Sequence, residues 1–384
     1  MEQQAEYPRW RWSRRTLVRV GIGAVVVGSL AVLSAPAEAA AGNGYGYVWA
    51  NDAASPIGVA YTPSLSYQYN SSSAQNTITR LDTGSYAVHY PNLSAYGGTA
   101  LVTAYGGTDD RCKISWWGGS STDTTLYLKC FTRTGSPVNS RFTASFTNPG
   151  GGVARAAYLW NDQPWAALDT TFTPSLSYQY NSQGSPNKIV HSATGQYIVR
   201  LTGLATAGTT ARQIQVTAYG APSGDPSAYC YVDSSPITDG ADALYYVGCL
   251  SASQTPIDSG FVLTYVESGN HLLAPVSSHP TASVGVACNP PSWGGACSFS
   301  WPFDTNPSAD ITVETISAGQ YAVHLPISLS GGNVQLTGYY LGNTTRGRCS
   351  IAYWNSYSGV RVNCYDTNGA APADFTTFML GFVS

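Results

Sequence analysis

One decapeptide written twice constrains this chain more than any other feature: Thr62-Pro63-Ser64-Leu65-Ser66-Tyr67-Gln68-Tyr69-Asn70-Ser71 recurs unchanged at 173–182. A looser third version is Ser298-Phe299-Ser300-Trp301-Pro302-Phe303-Asp304. The repetition extends far beyond this block. Gly84-Ser85-Tyr86-Ala87-Val88 matches Gly195-Gln196-Tyr197-Ile198-Val199 and Gly319-Gln320-Tyr321-Ala322-Val323. Val102-Thr103-Ala104-Tyr105-Gly106 matches 216–220, and Leu336-Thr337-Gly338-Tyr339 follows the same plan. A cysteine comes shortly after each (Cys112, Cys230, Cys349), then a second (Cys130, Cys249, Cys364), and each copy closes on an aromatic strand at 142–146, 261–265 and 378–382. The copies therefore run 43–149, 154–268 and 280–384, joined by linkers at 149–152 and 268–280. About a hundred residues suffice for one core and exceed a solenoid unit, so separate beads and a packed trio both remain open.

Within a copy the period is two. Tyr86 and Val88 fall on one face of a strand while Ala87 and His89 fall on the other. Residues 101–105, 125–129 and 361–365 alternate similarly, and Gly-Gly, Asn-Gly and Ser-Gly pairs punctuate them. With 40 Gly, 27 Tyr and 10% charged residues, the chain is poor in the Glu, Lys and Ala that surface helices need. The predicted class is all-β: three tandem antiparallel β-sandwich domains of jelly-roll or Ig-like type.

The first 39 residues read as a targeting segment rather than part of the fold. Ser13-Arg14-Arg15-Thr16-Leu17-Val18 has the look of a twin-arginine export motif, although Leu17 stands where Phe is usual, which leaves the general secretory route open. An apolar run from Val20 to Leu33 and an Ala37-Glu38-Ala39 cleavage site follow. At 14 residues this run is short for a bilayer span, and no other segment is long and apolar enough. Removing 1–39 takes away five Arg and three Glu, leaving 13 basic and 18 acidic side chains, a balance of −5. Without a basic patch, a nucleic-acid partner lacks its electrostatic footprint. A secreted, extracellular protein with no membrane association after signal cleavage is expected.

All eight cysteines follow this segment, and an even count in an exported chain reads as a disulfide framework. Equivalent positions pair most simply as Cys112–Cys130, Cys230–Cys249 and Cys349–Cys364, closing loops of 17, 18 and 14 residues. Cys288 and Cys297 are additional to copy three and pair with each other. With no CxxC spacing and no accompanying histidine set, neither a metal nor a cofactor is expected.

The pattern resembles secreted actinobacterial proteins that carry tandem copies of an uncharacterised β-rich module. The resemblance rests on Tyr47-Val48-Trp49 and Tyr158-Leu159-Trp160 near the copy starts, the decapeptide, the strand after Gly84, and the paired cysteines. It implies fold and export but brings no catalytic or binding residues. Copy three departs from it, lacking a clear Y-x-W and adding Cys288 and Cys297.

Repeats also provide an internal test for chemistry, because a fold residue should recur while a residue serving chemistry in one copy need not. Asp82-Thr83-Gly84-Ser85 spells an aspartic-protease motif, but the other copies have Ala193 and Ala318 at or near the aspartate position and keep only the glycine. The element reads as a turn. His89 and His324 are equivalent, with Arg200 in copy two, a swap no metal ligand survives. Asp109-Asp110 and Asp225 fall in loops and read as turn residues. No nucleophile triad or zinc motif is present.

The aromatic residues of the cystine loops are the candidate binding site: Trp116 and Trp117 in copy one, and Tyr353, Trp354 and Tyr357 in copy three, where copy two has Asp233-Ser234-Ser235-Pro236. Neighbours on a strand face opposite ways, so one of Trp116 and Trp117 can pack while the other meets a flat ligand. Trp49, Trp160 and Trp165 read as core. The leading expectation is a non-catalytic binding or surface protein recognising a glycan or other extracellular polymer. A secreted polysaccharide hydrolase, a protease inhibitor and a structural protein are the alternatives.

Overall fold

In the computed structural model, residues 37–384 form one compact unit. The structure describes residues 44–149 except 95, 155–205, 212–220, 225–233, 237–267, 281–288, 297–304, 310–339, 347–366, 368–371 and 376–383. The export segment 1–39, the second linker, and the side chains of Cys288 and Cys297 lie outside them. The described residues are all-β, with two single-turn 3-10 elements among them at Leu65–Tyr67 and Leu176–Tyr178. No helix among the described residues is long and apolar enough to cross a membrane.

Copy one folds as β1 (Gly44–Trp49), β2 (Ala60–Tyr61), β3 (Gln68–Asn70), β4 (Thr77–Asp82), β5 (Ser85–Tyr90), β6 (Thr99–Tyr105), β7 (Arg111–Gly119), β8 (Thr124–Phe131) and β9 (Arg141–Asn148). One antiparallel set runs β3-β1-β9-β6, the other β7-β8-β5-β4-β2. Alternation along β5 and through Leu128 of β8 buries Tyr86, Val88, Leu126 and Leu128 against Phe142, Ala144 and Phe146 of the facing set. Copy two repeats both orders, with Gln179–Asn181, Ala156–Trp160, Gly260–Glu267 and Arg212–Tyr219 in the first and Tyr229–Val232, Asp242–Leu250, Gln196–Leu201, Lys188–Ala193 and Thr170–Phe172 in the second. Copy three supplies Cys297–Asp304, Thr281–Cys288, Thr376–Val383 and Asn333–Gly338, then Gly347–Asn355, Gly359–Asp366, Gln320–His324 and Thr312–Ser317.

These strand sets do not end at the copy boundaries. Tyr105 of β6 pairs in parallel with Ile351 of copy three, Tyr219 of copy two with Ile114 of β7, and Tyr339 of copy three with Val232 of copy two. In every case the tyrosine of one copy's Thr-x-Tyr strand meets the residue two past another copy's first cysteine. Threonines reinforce the same cycle. The main-chain N–H of Leu336 donates to Thr103 Oγ1 at 3.0 Å, that of Val216 to Thr337 Oγ1 at 2.9 Å, and that of Val102 to Thr217 Oγ1 at 3.4 Å. Copy one leans on three, two on one, and three on two, which is the signature of a pseudo-threefold axis. The recurrence of Thr103, Thr217 and Thr337 thus has a physical reason: each satisfies a buried backbone donor of a neighbour.

The duplicated decapeptide is equally structural. Gln68 Nε2 donates to Pro63 O, its Oε1 accepts from Asn76 N, and Asn70 Nδ2 donates to Asn76 Oδ1, at 2.8–3.0 Å. Gln179, Pro174, Asn187 and Asn181 reproduce the set at 2.7–2.9 Å. Burying several amides requires partners for every polar atom, which fixes the sequence closely. Disulfides Cys112–Cys130, Cys230–Cys249 and Cys349–Cys364 join directly paired strand positions. Cys288 and Cys297 are likewise opposed in strand register.

Candidate functional site

The structure separates the five aromatic residues singled out by sequence. A bulge in β7 between Ile114 and Trp116, repeated between Ile351 and Tyr353, resets the alternation just after each first cysteine. Beyond it, Trp117 and Trp354 turn inward and are only 6% and 5% exposed, whereas Trp116, Tyr353 and Tyr357 stay exposed. Trp117 and Trp354 therefore cannot present a ring face to a ligand in solution, while Trp165, expected in the core, is exposed.

What they do instead is join copies. Trp354 of copy three enters a socket of copy one built from Trp49, Tyr67 and Tyr105, with ring centroids 6.0, 5.6 and 5.4 Å away. Trp117 of copy one enters the same socket in copy two, against Trp160, Tyr178 and Tyr219 at 6.2, 5.7 and 5.2 Å. All six contacts are edge-to-face, the arrangement that sets a ring's positive edge against a negative face. The socket pieces come from the Y-x-W, the decapeptide and the Thr-x-Tyr strand. Burial pushes the Tyr219 hydroxyl up to about 12. At the third junction neither tryptophan is present, although the Thr-x-Tyr tyrosine, Tyr339, is kept and buried against copy two. Gly285 sits opposite Met379 where Trp49 sits opposite Thr143 and Trp160 opposite Val262, and copy two carries no tryptophan after Cys230.

Trp116 is different. It is 46% exposed and lies flat on Tyr127, centroids 4.2 Å apart and planes within 10°. Gly118 holds it there, since a Cβ at that position would come within 2.5 Å of the indole. The cross-strand row continues from Trp116 and Tyr127 through Ala87 to Thr79. Thr125, His89 and Thr77 form the next row, and alternation places both on the outward face. The first row carries no charge. In copy three the equivalent row reads Tyr353, Arg361, Ala322 and Glu314, and in copy two Tyr246, Ile198, Val190 and Thr171 replace its inner members. Among the described residues, only copy one combines a stacked aromatic pair with an uncharged, hydroxyl-bearing row. Tyr127 escaped notice in sequence, although it stands at an outward position of a strand whose alternation was readable.

Asp82 and Asp109, considered above, have structural partners. Asp82 Oδ1 accepts from Thr83 N at 2.7 Å, and Gly84 has φ +66°, so the protease-like motif is a turn. A Cβ at Gly84 would lie 2.5 Å from Cys130 O, which explains the glycine's recurrence as Gly195 and Gly319. Asp109 pairs with Arg348. His191, buried, lies between Ala166 O at 2.6 Å and Asp258 Oδ1 at 2.9 Å.

No protein-family model, no curated protein and no solved structure matches this chain.

Proposed function

We propose that this chain is a secreted, non-catalytic binding protein whose first copy presents a flat sheet face to a carbohydrate polymer. The observation carrying this reading is the Trp116 indole stacked on Tyr127 with its row of Ala87 and Thr79. The C–H bonds on one face of a sugar ring are weakly positive and suit the negative face of an indole, while flanking threonines offer hydroxyls that exchange hydrogen bonds with sugar hydroxyls. Because Tyr127 and Gly118 fix the indole before any ligand arrives, little rotamer freedom is lost on binding. An open sheet face rather than a closed cleft fits an extended polymer better than a small molecule. Export is supported by the arginine pair with its apolar run, and by three disulfides, which persist in oxidising compartments.

The test is retention of the full-length protein on cellulose, chitin and insoluble xylan. Retention on at least one polymer is expected, with Trp116→Ala and Tyr127→Ala each weakening it about tenfold or more, the loss of one stacking contact and its buried area. Absence of retention on every polymer, or retention indifferent to both substitutions, would overturn the reading.

A further inference from the structure

The residue immediately before the first cysteine of each copy lines one pocket shared by all three copies. Arg111, Tyr229 and Arg348 line this space of about 70 Å³ together with Thr103, Thr217 and Thr337. Arg111 and Arg348 are each only 7% exposed. Both guanidinium carbons lie over the Tyr229 ring, 5.2 and 5.6 Å from its centroid. Two like charges have been brought to one buried aromatic ring.

Their hydrogen-bonding capacity is far from used. Arg348 directs Nε and Nη2 to Asp109, which leaves Nη1 buried without a partner. Arg111 has one bond, from Nη2 to Ser227 Oγ at 3.2 Å, and both Nε and Nη1 are buried without partners. No carboxylate lies within ion-pair distance of Arg111 among the described residues. Asp225 accepts from Ser227 N, Ser227 Oγ and Ala252 N instead. Asp110 accepts from Thr108 Oγ1 at 2.8 Å. A buried guanidinium with most of its donors unmatched is costly unless something supplies acceptors and negative charge. Burial, followed by the nearby Arg348 charge, lowers the Arg111 pKa to about 10, in the direction expected of an uncompensated cation.

We propose that this shared pocket binds a small oxyanion, through the free N–H groups of Arg111 and Arg348. A carboxylate, sulfate or phosphate group accepts from several donors at once, and guanidinium forks match their oxygen spacing. The pocket is built from all three copies, so the site exists only in the closed ring. It does not depend on the carbohydrate reading.

Titration calorimetry of the full-length protein tests this with sodium phosphate, sulfate and acetate in separate arms, each against sodium chloride of matched ionic strength. Saturable one-to-one binding of at least one anion is expected, and the arms distinguish a tetrahedral from a planar ligand. Arg111→Met is expected to weaken it by about tenfold or more, the loss of charge-assisted hydrogen bonds. Arg111→Lys keeps the charge but loses the fork, and serves where the methionine variant does not fold; a loss of about fivefold or more is expected. Absence of saturable heat in all three arms, or affinity unchanged in a folded Arg111 variant, would overturn the proposal.

Discussion

Replacing Trp117 by alanine removes a side chain of one copy from the aromatic socket of another. Trp117 is 6% exposed and makes three edge-to-face contacts, with Trp160, Tyr178 and Tyr219. A buried Trp→Ala change of this kind costs about 3–5 kcal/mol. Unfolding entropy runs near ~2.1 cal/mol/K per residue, so the compact unit spanning 37–384 has about 0.7 kcal/mol/K at its midpoint, and Tm should fall by roughly 4–7 °C. Trp116→Ala is the internal control. Its indole is 46% exposed and rests on one ring, so a loss of no more than about 1.5 kcal/mol and 2 °C is expected. Differential scanning calorimetry of both variants reads the difference. A double-mutant cycle with Trp160→Ala should give a coupling of about 0.5–3 kcal/mol, since the two residues touch across copies. Equal shifts for Trp116→Ala and Trp117→Ala, or additivity in the cycle, would refute the socket.

Three further perturbations have definite signs. Thr337→Val deprives the buried Val216 N–H of its acceptor and should cost about 1–3 kcal/mol in denaturant unfolding, whereas a neutral result would deny that the threonines link the copies. Replacing both Cys112 and Cys130 by serine opens a loop with a sequence separation of 18 and should cost about 3 kcal/mol by chain entropy, read from the urea midpoint. Lys113 is 2% exposed with its Nζ unpartnered, and burial lowers its pKa to about 7 from the usual 10.5. Between those values the unfolded chain holds a proton that the folded chain has released, so stability should rise by about 2 kcal/mol from pH 7 to pH 9. Above pH 10 tyrosines such as Tyr158 and Tyr219, pushed up to about 12 by burial, reverse the trend, because the unfolded chain ionises first. Lys113→Met should flatten the rise between pH 7 and 9, and an unchanged slope would place its origin elsewhere.

Much of the fold was legible because each copy repeats local instructions. The alternation at Tyr86-Ala87-Val88 gave a strand with Tyr86 and Val88 inward, as found. Equivalent cysteines paired within their copies because they face each other on adjacent strands. Gly84 was readable as a turn residue, since the carboxylate beside it failed to recur while the glycine did. What could not be read was which surface covers which. Period two tells that one of Trp116 and Trp117 is inward, but not that the inward ring enters a different copy. The missing Y-x-W of copy three and the missing tryptophan of copy two look unrelated along the chain. In the ring they fall on the two sides of one junction. The pocket pair Arg111 and Arg348 left a trace, both standing just before a first cysteine in a chain with few charges. That trace acquires meaning only when the copies close around an axis, because neighbouring positions in three separate beads would never meet.

The closed ring itself is tested most directly by the calorimetric unfolding of the unmutated protein. If the threonine cycle, the parallel strand junctions and the tryptophan sockets join the copies, melting should be one transition whose calorimetric and van't Hoff enthalpies agree. A calorimetric enthalpy about three times the van't Hoff value, or three resolved transitions, would mean that the copies melt as independent domains and that the axis does not hold them together.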